Sequence, residues 1–209
     1  MHIAIIGTGN VGGALAERWA KAGHTIHLGV RDIDHFKGKE LLGLPNTTAH
    51  LMADAVAQSD VILIAATPEA TVSIATQLGD VTGKVIIDSM NSVRTRPEPY
   101  SNTFEALKAL APGALVVKCF NSTGFENMRN PSYGAVAIDM FMAGSAVKGK
   151  DTVRQLALDA GFAACYDFGG DEKVALLEQF ALAWINLAIM QGEGRGIAFK
   201  LLRRANGIG

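Results

Sequence analysis

Cysteine is nearly absent from this chain: Cys119 and Cys165 are the only two in 209 residues. Two thiols make no disulfide framework and fit a reducing compartment. Charge of one sign is lacking as well. Lys plus Arg is 19 and Asp plus Glu is 20, a formal charge of −1. That removes the basic excess that nucleic acid or an anionic membrane would require, so neither is expected as a partner. The longest apolar stretch, Val174 to Met190, is broken by Glu178, Gln179 and Asn186. It falls short of the ~20 apolar residues that span a bilayer and reads as a buried helix. The opening Met-His-Ile-Ala-Ile-Ile-Gly has no basic region and no small-residue cleavage site, so no signal peptide is expected and the expected location is cytoplasmic. Histidine is missing beyond His50. No spacing suggests a metal site and there is no G-x-S-x-G elbow, so no metal is expected and no catalytic acid or base is identified.

What is present is ordinary for one globular core: 49% hydrophobic and 19% charged residues. Near-continuous apolar runs occur at His2–Ile6, Thr25–Leu28, Val61–Ala65, Val85–Asp88 and Leu115–Cys119. Such runs suit strands of a parallel sheet covered on both faces. A helical stripe of Val11, Leu15, Trp19 and Ala22 follows the first and is closed by Gly23. Thr67-Pro68 reads as N-cap and first helical residue, and Asn102 with Glu105 has capping-box spacing. Beyond Cys119 lie strand-like runs at Ala135–Met142 and Ala163–Phe168, with a helix from about Lys150 to Ala160 between them. Gly169-Gly170 then precedes a long apolar helix, Glu172 to about Gln191. The alternation predicts an α/β fold: a Rossmann-type doubly wound parallel sheet over residues 1–168, with a short C-terminal helical extension over 169–209. The extension is hard to bury against one small sheet, so a homodimer interface is expected there.

Gly7-Thr8-Gly9-Asn10-Val11-Gly12 fits G-x-G-x-x-G between an apolar strand and an amphipathic helix. Gly7 permits the tight turn, Gly9 lets the backbone reach a pyrophosphate, and Gly12 lets helix and strand pack closely. Free N–H groups and the helix dipole then attract the phosphates. In NAD-binding versions an acidic residue ends the second strand. Here the strand ends Leu28-Gly29-Val30-Arg31-Asp32, and Arg31 is a cation suited to a 2′-phosphate. The cofactor expected is therefore NADP(H); His35 and Lys37 either add positive charge nearby or, as the plainer reading, are surface residues.

Ligands of an open parallel sheet bind beyond the strand C-termini. Ala66, Thr67 and Pro68 should flank the dinucleotide there. Met90 and Asn91, after Ser89, approach the nicotinamide, and Asn121, Ser122 and Thr123 approach the second substrate; for both asparagines, loop capping is the plainer alternative. The long segment from Asn91 to Asn102 carries Arg94 and Arg96, which either meet an anionic substrate or stay solvated. Gly169-Gly170-Asp171-Glu172-Lys173 resembles the lysine region of β-hydroxyacid dehydrogenases, but Lys173 falls more naturally in the first turn of the last helix, facing solvent.

The assembled motifs resemble a known family. "IAIIGTGNVGGALAERWAKAGHTIHLGVRD", "DVILIAATP", "KVIIDSMNSV", "VVKCFNSTG" and "MFMAG…LALDAGF…LLEQFALAWINLA" are similar to the coenzyme F-420-dependent NADP oxidoreductases, and to the oxidoreductase domain of six-transmembrane metalloreductases. The resemblance implies an often dimeric Rossmann protein. It implies that Thr8, Asn10 and Val11 line the pyrophosphate, that Arg31 meets the 2′-phosphate, and that Ala66–Pro68 flank the cofactor. It also implies hydride transfer between nicotinamide and a flavin or a deazaflavin such as coenzyme F-420. Deazaflavin-reducing members typically carry Ser where Val30 stands, and some carry His where Asn121 stands. Two other readings are open: a reductase of a small imine or keto substrate, related to pyrroline carboxylate reductases, which needs a proton-supplying group near the nicotinamide, and a non-catalytic NADP-sensing module.

Overall fold

A computed structural model describes residues 1–204; the last five residues of the expected 169–209 extension lie outside the described residues. In chain order the elements are β1 (His2–Ile6), α1 (Asn10–Lys21), β2 (Thr25–Val30), β3 (Thr47–Leu51), α2 (Met52–Ala57), β4 (Val61–Ile64), α3 (Thr71–Ala75), β5 (Val85–Asp88) and α4 (Thr103–Leu110). They continue with β6 (Leu115–Cys119), α5 (Phe125–Arg129), β7 (Ser132–Tyr133), β8 (Val136–Ala137), β9 (Asp139–Ala143), α6 (Val147–Asp159), β10 (Ala164–Asp167) and α7 (Val174–Ile185). The main sheet has the order β10-β9-β6-β5-β4-β1-β2-β3. Every pairing is parallel except β6 with β9.

The apolar runs become strands because both faces are covered. One face packs Ile3, Ile5, Trp19, Phe120 and Phe162 under α1 and α6. The other packs Ile62, Ile64, Phe104, Phe141 and Leu177 under α3, α4 and α7. Trp19 is fully buried, edge-on to Phe120, and its indole N–H donates to the Leu156 carbonyl at 2.9 Å. A buried indole needs that acceptor, so α1 is keyed to α6. The Cys119 and Cys165 sulfurs are 3.9 Å apart but sit on strands separated by β9, too far apart for a disulfide.

The structure departs from the sequence reading at several elements. β3 was not anticipated: Thr-Thr-Ala-His-Leu is an edge strand whose residues are half-buried or exposed, so it lacks the apolar signature of its neighbours. The run 135–142 divides, because Val136–Ala137 pairs with β7 in a separate hairpin while β9 joins the main sheet. The capping box is half formed: Asn102 Oδ1 accepts from Glu105 N at 2.9 Å, but the Glu105 carboxylate accepts from Ser101 Oγ at 2.6 Å instead of from Asn102 N. Thr67 makes no side-chain cap, and Pro68 opens a short 3-10 turn.

The last helix differs most. A 3-10 turn at Asp171–Lys173 leads into α7, which ends in a π turn at Asn186–Met190. With that turn, Asp171–Met190 reaches 20 residues, long and apolar enough to cross a membrane by length and composition, and only 28% of its most apolar window is buried. Its inner side is core, with Val174, Leu177, Ala181 and Trp184. Its outer side exposes Leu176, Leu187, Ile189 and Met190, the face on which the expected homodimer would be built.

Three histidines form a ladder across β1, β2 and β3. His2 Nδ1 is 3.2 Å from His27 Nε2, and His27 Nδ1 is 3.3 Å from His50 Nε2. Burial, and then the charges of His50 and His2, hold the His27 imidazole below the usual histidine range. The unfolded chain therefore binds this proton more readily than the folded one. Stability should be full at neutral pH and decline as the pH falls through the ordinary value of about 6.5. Urea unfolding at neutral and mildly acidic pH checks this: His27→Gln should flatten the decline, and an unchanged slope would assign it to other groups.

Candidate active site

Because β1, β2, β4, β5 and β6 run parallel, Ile6, Val30, Ile64, Asp88 and Cys119 all end on one edge of the sheet. The chain leaves β1 in one direction along the sheet and reaches β4 on its other side, which makes the crevice where a dinucleotide binds in this architecture. Gly7 turns there with φ of 101°, and a Cβ at this position would lie 2.4 Å from the Ala65 carbonyl oxygen. A Cβ on Gly12 would lie 1.9 Å from the Gly7 oxygen, so α1 meets the turn backbone to backbone. A Cβ on Gly9 would meet nothing within 4 Å. α1 has no acidic residue in its first turn and no side-chain cap at Gly9. Its first N–H groups have no intrahelical partner, so they offer donors and a positive dipole end to a phosphate.

Beside the turn lies a cleft of about 810 Å³ lined by Gly7, Thr8, Val30, Arg31, His35, Lys37, Ala66 and Thr67, among others. Asp32 is occupied within its own loop. It accepts from Asp34 N at 2.9 Å and His35 N at 3.1 Å, and it pairs with the His35 ring at 3.4 Å. Arg31 therefore has no ion-pair partner among the described residues. Thr8 Oγ1 donates to the Lys37 carbonyl, and Gly38, with φ of 88°, packs against the Thr8 carbonyl. The loop after β2 is thus pinned to the glycine turn, bringing Arg31 and Lys37 beside the same cleft. An open backbone face at Gly9, a helix without a side-chain cap and two cations with no ion-pair partner among the described residues together fit a phosphorylated dinucleotide.

The structure sorts the remaining candidates. Asn10 is exposed and Val11 half-buried at the start of α1, while Gly12 serves packing. Pro68 follows the cleft residues Ala66 and Thr67. Met90 turns inward: it is 4% exposed and its sulfur accepts from Thr71 Oγ1 at 3.7 Å, so its side chain belongs to the core. Ser122 does the same, donating to the Met140 sulfur at 3.6 Å. Thr123 Oγ1 accepts from Asn127 Nδ2 at 2.8 Å. Asn91 and Asn121 face each other. Asn91 Nδ2 donates to the Asn121 carbonyl at 2.8 Å, and Asn121 Nδ2 donates to Asn91 Oδ1 at 2.9 Å. Arg94, Arg96 and Lys173 are exposed.

Sequence reasoning missed an ion cluster behind that amide pair. Lys118 is wholly buried, with Nζ 3.0 Å from Asp88 Oδ2, 2.7 Å from Glu178 Oε1 and 3.2 Å from Thr103 Oγ1. Thr103 Oγ1 also donates to Asp88 Oδ2 at 2.7 Å, and Met90 N to Asp88 Oδ1 at 3.0 Å. Glu178, one of the residues that interrupt the last apolar run, is an ion-pair partner that also accepts from Ser92 N at 3.4 Å. The signal was present: a lone lysine inside Leu-Val-Val-Lys-Cys-Phe must be paired if that strand is buried. His35 and Lys37 are exposed, and both line the cleft beside the turn.

Residues 2–92, somewhat under half of the chain, match the family described as NADP oxidoreductase, coenzyme F420-dependent. Metalloreductase STEAP2 of Mus musculus is 29% identical over 119 residues, covering 57% of this chain and 24% of that protein. The chain thus matches about a quarter of that relative's length. Among solved structures, a candidate F420-dependent NADP-reductase from Arthrobacter sp. FB24 superposes with TM-score 0.84 at 24% identity, covering 97% of this chain and 100% of the other. A reductive aminase from Aspergillus terreus, in complex with NADPH and ethyl-5-oxohexanoate, gives 0.66 at 22% identity over 91% of this chain and 62% of the other. Both share the Rossmann-type fold.

Proposed function

We propose that this protein is an NADP-dependent oxidoreductase that transfers a hydride between NADP(H) and a flavin or deazaflavin ring carrier. The observation that carries the cofactor choice is Arg31, without an ion-pair partner among the described residues and beside Lys37 in the cleft that adjoins the glycine turn. When bound, the dinucleotide supplies or accepts the hydride at its nicotinamide ring. The chain's part is to bind and orient. The α1 N-terminus and Gly9 hold the pyrophosphate, and Arg31 and Lys37 meet the 2′-phosphate. Beyond β5 and β6 the chain offers Asn91 and Asn121, amides that pair with each other and do not titrate. Hydride exchange between two rings requires this positioning and no strong protein acid.

A small imine or ketone is the second reading, favoured by Glu178, whose carboxylate stands beside Ser92 at the same edge. The test is NADPH oxidation with FMN, coenzyme F420, ferric chelates and cyclic imines as acceptors. Turnover with FMN or F420 and none with the imines supports the proposal. Turnover with imines alone selects the second reading. Tight NADPH binding with no turnover on any acceptor would leave a nucleotide sensor.

A further inference from the structure

We propose that the side-chain oxygen of Asn121 receives an N–H from the nicotinamide carboxamide, and that the Asp88–Lys118–Glu178 cluster beneath it is the positioning device that keeps it there. The inference rests on the NADP(H) reading above. Among the described residues, Asn121 Oδ1 is the buried side-chain polar atom that has no hydrogen-bond partner. A buried acceptor left unpaired costs free energy, and such atoms mark missing ligands or water.

The assignment of this amide is not free to flip. Asn121 Nδ2 donates to Asn91 Oδ1, and Asn91 Nδ2 donates to the Asn121 carbonyl. Turning either amide would set oxygen against oxygen, so the network fixes Oδ1 as the unsatisfied atom. The preceding residue, Phe120, is fully buried with φ of 57°. A bulky side chain in the left-handed region is strained, and strain of this kind collects at ligand sites. It is held by the ring contacts to Trp19 and Phe162.

Place and chemistry agree. With the 2′-phosphate site beyond β2 and the glycine turn beyond β1, a dinucleotide extends along the sheet order β2-β1-β4-β5-β6 toward the loops that carry Asn91 and Asn121. The nicotinamide end is the end that arrives there, and its carboxamide NH₂ is a donor. Asp88 and Lys118 are register partners on β5 and β6, each three residues before one of the two asparagines. Their ion pair fixes both strand exits, and Glu178 ties α7 to Ser92, the residue after Asn91. Lys118 and Glu178 act through Asn91 and Asn121, so they are positioning residues.

Calorimetric titration with three probes tests this: NADP+, its 3-acetylpyridine analogue, which lacks the carboxamide N–H, and 2′,5′-ADP, which lacks the nicotinamide. Wild type should bind NADP+ about tenfold more tightly than the analogue. Asn121→Ala should bring the two within about threefold while 2′,5′-ADP binds as before. Glu178→Gln should reduce the preference in the same way. A purely structural role for Glu178 would instead lower the melting temperature and weaken all three probes together, which would overturn the positioning claim. Equal binding of NADP+ and the analogue by wild type, with 2′,5′-ADP still tight, would overturn the inference and leave the cofactor reading intact. Failure of 2′,5′-ADP to bind would sink the cofactor reading itself. If wild type does not separate the dinucleotides but binds FMN more tightly than N3-methyl-FMN, the donor belongs to the carrier and the assignment to nicotinamide is wrong.

Discussion

Lys118→Met is expected to destabilise the protein by about 3–5 kcal/mol, the usual result of removing one member of a buried ion cluster. The substitution keeps much of the lysine's volume, so the loss is electrostatic. It leaves Asp88, which has no exposure, and Glu178, whose side chain is 12% exposed, as two carboxylates facing each other without their cation. Adding Asp88→Asn should recover most of the loss, because Glu178 keeps an edge in water and the introduced amide still hydrogen-bonds Thr103. The urea midpoints of the single and double variants read this directly. A single variant within about 1 kcal/mol of wild type would mean that the lysine reaches water, as exposed ion pairs do.

The second large effect is on binding. Arg31→Ala should weaken NADPH by about 1.5–3 kcal/mol, the worth of a hydrogen bond to a charged group, and leave NADH nearly unchanged. Lys37 remains beside the cleft, so part of the attraction to the 2′-phosphate survives. Arg31→Lys should fall between, since an ammonium lacks the bidentate fork. Fluorescence titration of the two reduced coenzymes separates these outcomes. Equal losses for both would mean that Arg31 supports the loop and does not read the phosphate.

The parts of this fold legible from the chain are those set by local pattern. β1, β5 and β6 were readable to the residue because their apolar runs are short and cleanly bounded. The glycine turn was readable because Gly7 and Gly12 answer to backbone clashes that an added Cβ would create, while Gly9 keeps its backbone face open. What stayed hidden depends on distant partners. β3 shows no apolar alternation because it is an edge strand. Met90 and Ser122 were placed in the cleft from their position after a strand. Each is instead held in the core by a distant partner, Met90 by Thr71 and Ser122 by Met140, which no local pattern reveals. Lys37 reached the cofactor cleft only through Thr8, twenty-nine positions earlier in the chain. The ion cluster joins β5, β6, α4 and α7, four elements whose meeting no spacing reveals.

The most direct measurement is a crystal structure with NADP+ bound. The pyrophosphate is expected on the Gly7–Gly12 turn and the Arg31 guanidinium about 2.7–2.9 Å from the 2′-phosphate oxygens. A 2′-phosphate in open solvent with Arg31 turned away, or a dinucleotide lying elsewhere on the molecule, would contradict it.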